Sequence, residues 1–291
     1  MRLSELGLGT HLSSNQSPKL ISAALVAGWK YIDSAPNYGK AHDRIASVLL
    51  KTRGPEARIS SKVGFIPRDC REHHWSGLNH SIQPEFIRYQ CQENARRLGR
   101  NIYCTFLHNP EVQQCVDPDT FSQKLRLAFE ACEELCDCGH TEIYGIATWH
   151  GLFPEHSLAK ILALAEDVGG PNHRLRAIQV PVSLVRCENL LLARKGKGPL
   201  IEAREQEIQV FSSSPFHSGN LPKALTESFL KKFPQNLTAA QACVQFLRAF
   251  DLIDVILMGF SDISQFTEID FLRTVPPPSR ELAQDILKLV G

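Results

Sequence analysis

Eight short runs rich in β-branched and other apolar residues recur along the chain, and helical patterns lie between them. The predicted strands are residues 6–9, 31–33, 59–63, 103–107, 143–147, 178–182, 208–212 and 255–259. Strands that alternate with helices at this spacing are typical of βαβ units in a parallel sheet. Eight such units fit a closed (β/α)8 TIM barrel, typically about 250 residues long, better than an open doubly wound sheet. No Gly-x-Gly-x-x-Gly motif follows the first strand, which also disfavours an open dinucleotide-binding sheet.

The helical segments are predicted from their apolar stripes and from the residues at their ends. They are residues 19–27, 43–51, 85–98, 120–136, 158–167, 190–193, 221–232 and 263–273, with a terminal helix at 279–289. Gly28, Gly99 and Gly139 each follow a helical pattern, where glycine is a common C-terminal stop. No linker divides the chain, so we predict a single domain over residues 1–291.

The charge balance and the cysteines limit the class of protein. With 32 Lys plus Arg against 31 Asp plus Glu, the formal net charge is +1, so nothing favours nucleic acid or an anionic membrane as a partner. The nine cysteines are an odd number scattered over a long chain, which is unlike a disulfide framework. The N-terminus lacks the apolar core of a signal peptide, and no run approaches the ~20 apolar residues of a membrane span. We therefore expect reduced thiols and a cytoplasmic location.

Four polar residues lie at or just beyond three adjacent strand ends. Asp33 ends the second predicted strand and Tyr38 follows it, Lys62 lies near the end of the third, and His108 follows the fourth. In a (β/α)8 barrel the reactive groups lie at this rim. An ammonium near a phenol favours the phenolate and lowers the phenol pKa, and a carboxylate keeps a buried lysine charged. With an imidazole to orient a substrate oxygen, the set suits proton transfer to a carbonyl group.

Each of these residues also has an ordinary structural explanation. Asp33 can cap a loop or helix, Lys62 can be a surface ammonium, and His108 can be a satisfied histidine at a strand end. Their joint position on one rim favours the catalytic interpretation.

At these residues the sequence resembles the aldo-keto reductase superfamily, nearly from end to end. The similar motifs are GLGT at 7–10, GWKYIDSAPNYG at 28–39, SKVG at 61–64, LHNPE at 107–111, GI at 145–146, QVP at 179–181, SPFHSG at 214–219 and GFS at 259–261. Within the superfamily it looks most like the sugar and alcohol dehydrogenases. The resemblance implies that Tyr38 is the general acid and base, that Lys62 and Asp33 tune it, and that His108 orients the carbonyl.

The resemblance also implies a site for NAD or NADP, from which the sequence departs in two places. The positions expected to hold the cofactor are Thr148, Gln179, Ser213, Ser214, Phe216, Ser218, Gly259, Ser261, Gln265 and Glu268. Gln179 matches the family, whereas its Ser-Asn pair falls on Ala147-Thr148 and its stacking aromatic residue falls on Ser213. Phe211, Phe216 or Trp149 are candidates to replace that aromatic face, since stacking contributes about 0.5–1.5 kcal/mol.

The loop after the eighth strand favours NAD over NADP. Related barrels commonly place an arginine for the adenosine 2′-phosphate where this chain has Ser261, and Asp262 beside it would repel a phosphate. The N-terminus of the following helix could still bind an anion. Arg273 or Lys223 could also supply a cation from elsewhere.

The sequence thus predicts an NAD(P)-dependent enzyme that interconverts a carbonyl group and an alcohol in a small molecule. Two alternatives stay open: a non-redox lyase or isomerase that reuses the acid–base set, and a non-catalytic dinucleotide-binding barrel. Trp149 and Trp75 are candidates to line the substrate pocket. The substrate and the oligomeric state are not readable.

No metal is expected. The one suggestive pattern, Cys132-x3-Cys136-x-Cys138-x-His140, has poor spacing for a closed tetrahedral zinc site and no second cluster. Packing thiols at a helix end explain it better.

Overall fold

A computed structural model describes residues 3–12, 17–51, 57–67, 79–150, 152, 157–234 and 236–291. Within these residues eight parallel strands form a closed barrel in chain order, with the last strand paired to the first. The strands are β1 (Glu5–Gly9), β2 (Tyr31–Asp33), β3 (Arg58–Val63), β4 (Ile102–His108), β5 (Thr141–Ala147), β6 (Leu175–Pro181), β7 (Gln209–Ser213) and β8 (Val255–Met258). The predicted (β/α)8 barrel is confirmed, and each strand lies within a few residues of its predicted position.

The helices lie in the connections between the strands and after the last one. They are α1 (Pro18–Val26), α2 (Ala41–Leu49), α3 (Pro84–Leu98), α4 (Glu111–Val116), α5 (Phe121–Asp137), α6 (Leu158–Gly169), α7 (Glu188–Arg194), α8 (Pro199–Glu205), α9 (Asn220–Ala224), α10 (Glu227–Leu230), α11 (Ala239–Arg248), α12 (Ile263–Asp270) and α13 (Arg280–Val290), with 3-10 turns at Gly170–Asn172 and Phe271–Thr274. Among the described residues, no helix is long and apolar enough to cross a bilayer.

The helices differ from the prediction at one split segment and at three helices that were not predicted. The segment predicted as one helix at 221–232 is split into α9 and α10, because Leu225 adopts an extended conformation and Thr226 begins a new helix by accepting from the Phe229 N–H. The sequence analysis also missed α4, α8 and α11, the last of which begins with a reciprocal capping box between Thr238 and Gln241.

Side chains alternate between the two faces of each strand, so the apolar residues form two separate cores. The same alternation places polar residues at the rim of the barrel. The larger core lies between the sheet and the helices, whereas a smaller cluster fills the barrel interior with Tyr31, Cys104, Phe106, Ala147, Ala177, Phe211, Val255 and Leu257. Residues two apart on a strand share a face. Tyr31 in the interior therefore places Asp33 on the same inward face, at the C-terminal end of the barrel.

Candidate active site

A cavity of about 590 Å³ opens at the C-terminal rim of the barrel. Its lining comes from the ends of β1, β2 and β4 to β8 and from the loops that follow them. Tyr38, Asp33 and His108 line it on one side, and the ten positions expected to hold a cofactor all line it as well. The structure therefore brings the predicted catalytic and cofactor positions into one cavity, whereas Lys62 lies behind this surface.

Lys62 and Asp33 form a buried ion pair beneath the cavity. The Lys62 side chain is 1% exposed, and its Nζ lies 2.5 Å from Asp33 Oδ2 and 3.2 Å from the Ser34 carbonyl oxygen. Burial disfavours the ammonium, but Asp33 and Tyr38 outweigh burial and raise the pKa of Lys62. The other Asp33 oxygen, Oδ1, accepts from Ser60 Oγ and Gln179 Nε2, both at 2.9 Å. Lys62 therefore stays charged at neutral pH.

Tyr38 lies next to this ammonium, whose Nζ is 5.1 Å from the centre of the Tyr38 ring. Burial raises the pKa of Tyr38, and the opposing effect of Lys62 is smaller, so the net shift is upward. The sequence argument considered only the ammonium and therefore expected a lowered value. Tyr38 holds its proton at neutral pH, next to a positive charge that stabilises the phenolate once the proton leaves.

His108 faces the same part of the cavity as a neutral imidazole. Its ring lies edge-on to Tyr38, with 6.1 Å between ring centres, and 4.8 Å from the Phe65 ring. Burial lowers the pKa of His108 well below its usual value, and the charges of Lys62 and two neighbouring histidines act in the same direction. A neutral imidazole can donate one hydrogen bond to a ligand oxygen.

A hydrogen-bonded support behind His108 was not predicted. His80 Nε2 donates to the His108 carbonyl oxygen at 2.8 Å, while Gln113 Nε2 lies 3.1 Å from His80 Nδ1 and donates to the His80 carbonyl oxygen at 2.9 Å. Only the position of His80 in a rim loop hinted at such a contact, and Gln113 carries no sequence signal at all.

A second unpredicted residue, Glu111, organises the loop after β5. Its Oε1 accepts from the Thr148 hydroxyl at 2.8 Å and from the Trp149 backbone N–H at 3.2 Å. Thr148 is tied in turn to β6, because its backbone N–H donates to the Gln179 carbonyl oxygen at 2.9 Å. Glu111 lies in one of the family-like motifs, but the motif gives no indication of this contact.

The model of the Aldo/keto reductase family matches residues 3–268 of the sequence. The chain belongs to this family. An aldo-keto reductase of Strobilurus tenacellus is 26% identical over 211 residues, which are 72% of this chain and 53% of that protein. The chain therefore spans about half the length of this curated relative.

Solved structures of other aldo-keto reductases share the fold. The holo form of the enzyme from Bacillus halodurans aligns with a TM-score of 0.73 at 20% identity, covering 99% of this chain and 93% of that one. The enzyme from Klebsiella pneumoniae, solved with NADP and acetate, aligns with a TM-score of 0.70 at 16% identity, covering 99% and 92%.

In this chain Ser213 stands where an aromatic residue was expected to stack, and the structure separates the three candidate replacements. Phe211 is fully buried inside the barrel, 5.7 Å from Tyr31 and 5.4 Å from Phe106 between ring centres, so it does not reach the cavity. Phe216 and Trp149 both line the cavity. The suggestion of Phe211 is therefore wrong, whereas the other two rings are correctly placed to offer an aromatic face.

The loop after β8 carries a negative charge at the start of α12. Asp262 Oδ1 accepts from the Gln265 N–H at 3.0 Å and from Ser264 Oγ at 2.6 Å, and these bonds lower the pKa of Asp262. The Ser261 N–H donates to Gln265 Oε1 at 2.9 Å. The helix N-terminus that could have bound a phosphate thus already has a carboxylate on it.

Of the two cations considered for a phosphate, only one faces the cavity. Arg273 donates to the Ala27 carbonyl oxygen and lies 3.5 Å from Asp270, so it is engaged away from the cavity. Lys223 lines the cavity. The suggestion of Arg273 is therefore wrong.

Trp149 stands at the cavity rim with 45% of its surface exposed. Arg186 Nη2 donates to its carbonyl oxygen at 3.0 Å, and the guanidinium lies 5.7 Å from the ring centre. The other predicted pocket residue, Trp75, lies outside the described residues.

No group of three or more His, Cys, Asp or Glu that could hold a metal occurs in the described part of the chain. In the cysteine pattern near α5, Cys132 is buried and Cys138 is exposed. Burial raises the pKa of Cys132, which disfavours the thiolate that a metal would need.

Proposed function

We propose that this protein is an NAD(P)-dependent oxidoreductase of the alcohol or aldose dehydrogenase type, acting on a small molecule. The observation that carries the proposal is Tyr38, a protonated phenol that lines the cavity next to the buried Lys62–Asp33 ion pair. A proton donor backed by a fixed positive charge suits a reaction in which a carbonyl oxygen gains a proton.

The residues of the cavity fit a nicotinamide dinucleotide. Thr148 and Gln179 offer polar atoms beside Asp33, and Phe216 offers an aromatic face. Toward α12, the Gln265 amide can donate or accept hydrogen bonds with the adenosine half, the Glu268 carboxylate can accept them, and Lys223 can neutralise phosphate charge. A bound nicotinamide would supply the hydride in carbonyl reduction or take it up in alcohol oxidation.

The side chains would manage the proton and the orientation of the substrate. In reduction, Tyr38 donates its proton to the carbonyl oxygen, and the Lys62 ammonium stabilises the resulting phenolate until solvent replaces the proton. In oxidation, the phenolate takes the proton of the alcohol. The neutral His108 imidazole donates a hydrogen bond to the substrate oxygen and so fixes which atom faces Tyr38.

We infer a preference for NAD over NADP from the adenosine side of the cavity. The Asp262 carboxylate occupies the α12 N-terminus, and Lys223 is the one Lys or Arg that lines the cavity within the described ranges. A 2′-phosphate near this loop would meet a negative charge with no arginine to pair with. The structure of the Klebsiella pneumoniae relative, in contrast, contains NADP.

The test compares the wild-type protein with Tyr38→Phe, using NADH and a panel of aldehydes, ketones and aldoses. Removal of the transferable proton should lower turnover by about 10²–10⁴, the usual contribution of a general acid, while calorimetry shows little change in NADH affinity. Tyr89→Phe, at a partly exposed tyrosine of α3, is the matched control and should keep full turnover.

Two outcomes would contradict the proposal in different ways. Unchanged turnover in Tyr38→Phe would show that another group transfers the proton. Dinucleotide binding without turnover of any carbonyl or alcohol in the panel would favour the non-catalytic alternative.

A further inference from the structure

The His11 side chain lines the cavity next to Tyr38, and the proton transfer derived above does not use it. We propose that His11 binds a hydroxyl group on the carbon next to the reacting carbonyl. The substrates are then α-hydroxy aldehydes or ketones and, in the reverse direction, vicinal diols. This inference rests on the proposed function, because it names the substrate class of the same site.

The residue before His11 fixes the backbone at this point of the rim. Thr10 follows β1, and both its backbone N–H and its hydroxyl donate to the Asp33 carbonyl oxygen, at 3.1 and 2.9 Å. The His11 ring lies edge-on to the Tyr38 ring with 4.9 Å between ring centres, closer than the His108 ring at 6.1 Å. Two imidazoles therefore lie around the proton donor, and one of them has no role yet.

The ring nitrogens of His11 are available to a ligand. Among the residues that the structure describes, none makes a hydrogen bond with them. Partial burial and the Lys62 charge lower the pKa of His11, and the opposing effect of Asp33 is smaller, so the imidazole is neutral at neutral pH. A neutral imidazole has one N–H donor and one acceptor nitrogen. A hydroxyl group, which both donates and accepts, matches either nitrogen.

A carbonyl group alone leaves the His11 imidazole without a partner. A carbonyl oxygen has two lone pairs, and Tyr38 and His108 donate to both of them in the proposed reaction. The carbonyl carbon receives the hydride, so a partner for His11 has to come from another atom of the substrate. Because His11 contacts Tyr38 itself, that atom lies close to the reacting carbon. A hydroxyl on the neighbouring carbon meets this requirement.

The test compares carbonyl compounds that differ in this hydroxyl group. Propanal is paired with lactaldehyde and butanone with acetoin, while 3-hydroxypropanal carries the hydroxyl one carbon further away. With the reduced dinucleotide that the protein binds more tightly, kcat/KM should be about tenfold or more higher for the α-hydroxy member of each pair. The value for 3-hydroxypropanal should stay close to that for propanal. Most of the difference should be in KM, because a hydroxyl that does not react is bound equally in the ground state and the transition state.

Variants of His11 separate recognition from substrate reactivity, because a neighbouring hydroxyl also makes a carbonyl carbon more electrophilic. His11→Phe keeps a ring beside Tyr38 and removes the hydrogen bonds, so the lactaldehyde-to-propanal ratio of kcat/KM should fall to about threefold or less. His11→Gln keeps a donor and an acceptor and should restore most of the ratio. His140→Phe, just before β5 at the opposite end of the barrel, is the control and should leave the ratio unchanged.

A preference for the α-hydroxy compounds that survives in His11→Phe would overturn the inference. Its source would be substrate reactivity or Asn109, which also lines the cavity, and Asn109→Gly separates these two because glycine accepts the left-handed backbone at this position. Equal wild-type kcat/KM within each pair, or efficient substrates that all lack an α-hydroxyl, would also overturn it and leave the proposed function intact. If no carbonyl compound of the pairs or of the wider panel is reduced, the proposed function itself fails.

Discussion

Asp262 places a negative charge next to Ser261, at the point where a phosphate-binding cation would be needed. Its carboxylate caps α12 through Gln265 and Ser264. Because serine is also a good N-terminal cap, Asp262→Ser removes the charge and keeps the helix start. We expect this variant to improve NADPH affinity by about threefold or more, with little change for NADH, as measured by calorimetry.

Asp119→Ser, at an exposed aspartate before α5, is the control and should alter neither affinity. In the wild-type protein, NADPH binding at least about tenfold tighter than NADH binding would contradict the inferred preference for NAD.

At the residue scale, the sequence predicted which side chains meet and missed what orients them. Asp33, Lys62 and His108 could be placed at one rim, because parallel strands in a barrel end on the same side. The contacts of His80 with His108 and of Glu111 with Thr148 could not, because the joined residues are 28 and 37 positions apart in the sequence. The upward pKa shift of Tyr38 also depends on burial, which no spacing of residues encodes.

At the element scale, β5 and β6 approach so closely that one position admits only glycine. Their register shifts between Tyr144 and Gly145, and a Cβ on Gly145 would meet the Ala177 carbonyl oxygen and lie 2.8 Å from the Phe106 ring. The obstructing atoms are a neighbouring strand and a core ring, so they cannot move aside freely. Gly145→Ala should lower the free energy of unfolding by about 1–3 kcal/mol in a denaturant titration.

Gly9→Ala is the matched control for this prediction. At Gly9 the nearest atoms to an added Cβ belong to Met258, at 3.7 Å, which is an ordinary contact. Equal stability of the two variants would mean that β5 and β6 can separate without cost.

Helix α11, which the sequence analysis missed, shows that the polar stripe of a helix can be buried. Every residue from Gln241 to Arg248 is buried, and three of the eight are polar. Arg248 Nη1 donates to Gln245 Oε1 at 2.9 Å and to the Val275 carbonyl oxygen at 3.1 Å, so this charged side chain is partly satisfied inside the core. Gln241, Gln245 and Arg248 recur at helical spacing and form a polar stripe, as the polar residues of α3 do, but in α11 this stripe is buried as well.

At the scale of the whole molecule, closure of the barrel was predictable, because the number of strand–helix units in the sequence indicates a closed barrel. The convergence of loops from seven strands on one cavity follows from that closure, since a barrel has no open edge. The bulged register of β5 and β6 does not follow, because it depends on side chains packed across the barrel. One continuous core runs from Leu6 to Leu287, which supports our proposal that residues 1–291 form one domain.

The near-neutral molecule should bind its dinucleotide with little dependence on salt. The formal net charge is +1, so no long-range field attracts an anion to the rim. Lys223 is the one Lys or Arg in the cavity lining within the described residues, and the acidic Glu268 belongs to the same lining. Raising the salt from about 0.05 to about 0.5 M shortens the screening length several-fold and weakens only such exposed contacts. The dissociation constant for NADH should therefore rise by less than about threefold, and Lys223→Met should remove most of that rise. A much steeper dependence, unchanged in Lys223→Met, would mean that cations outside this lining hold the phosphates.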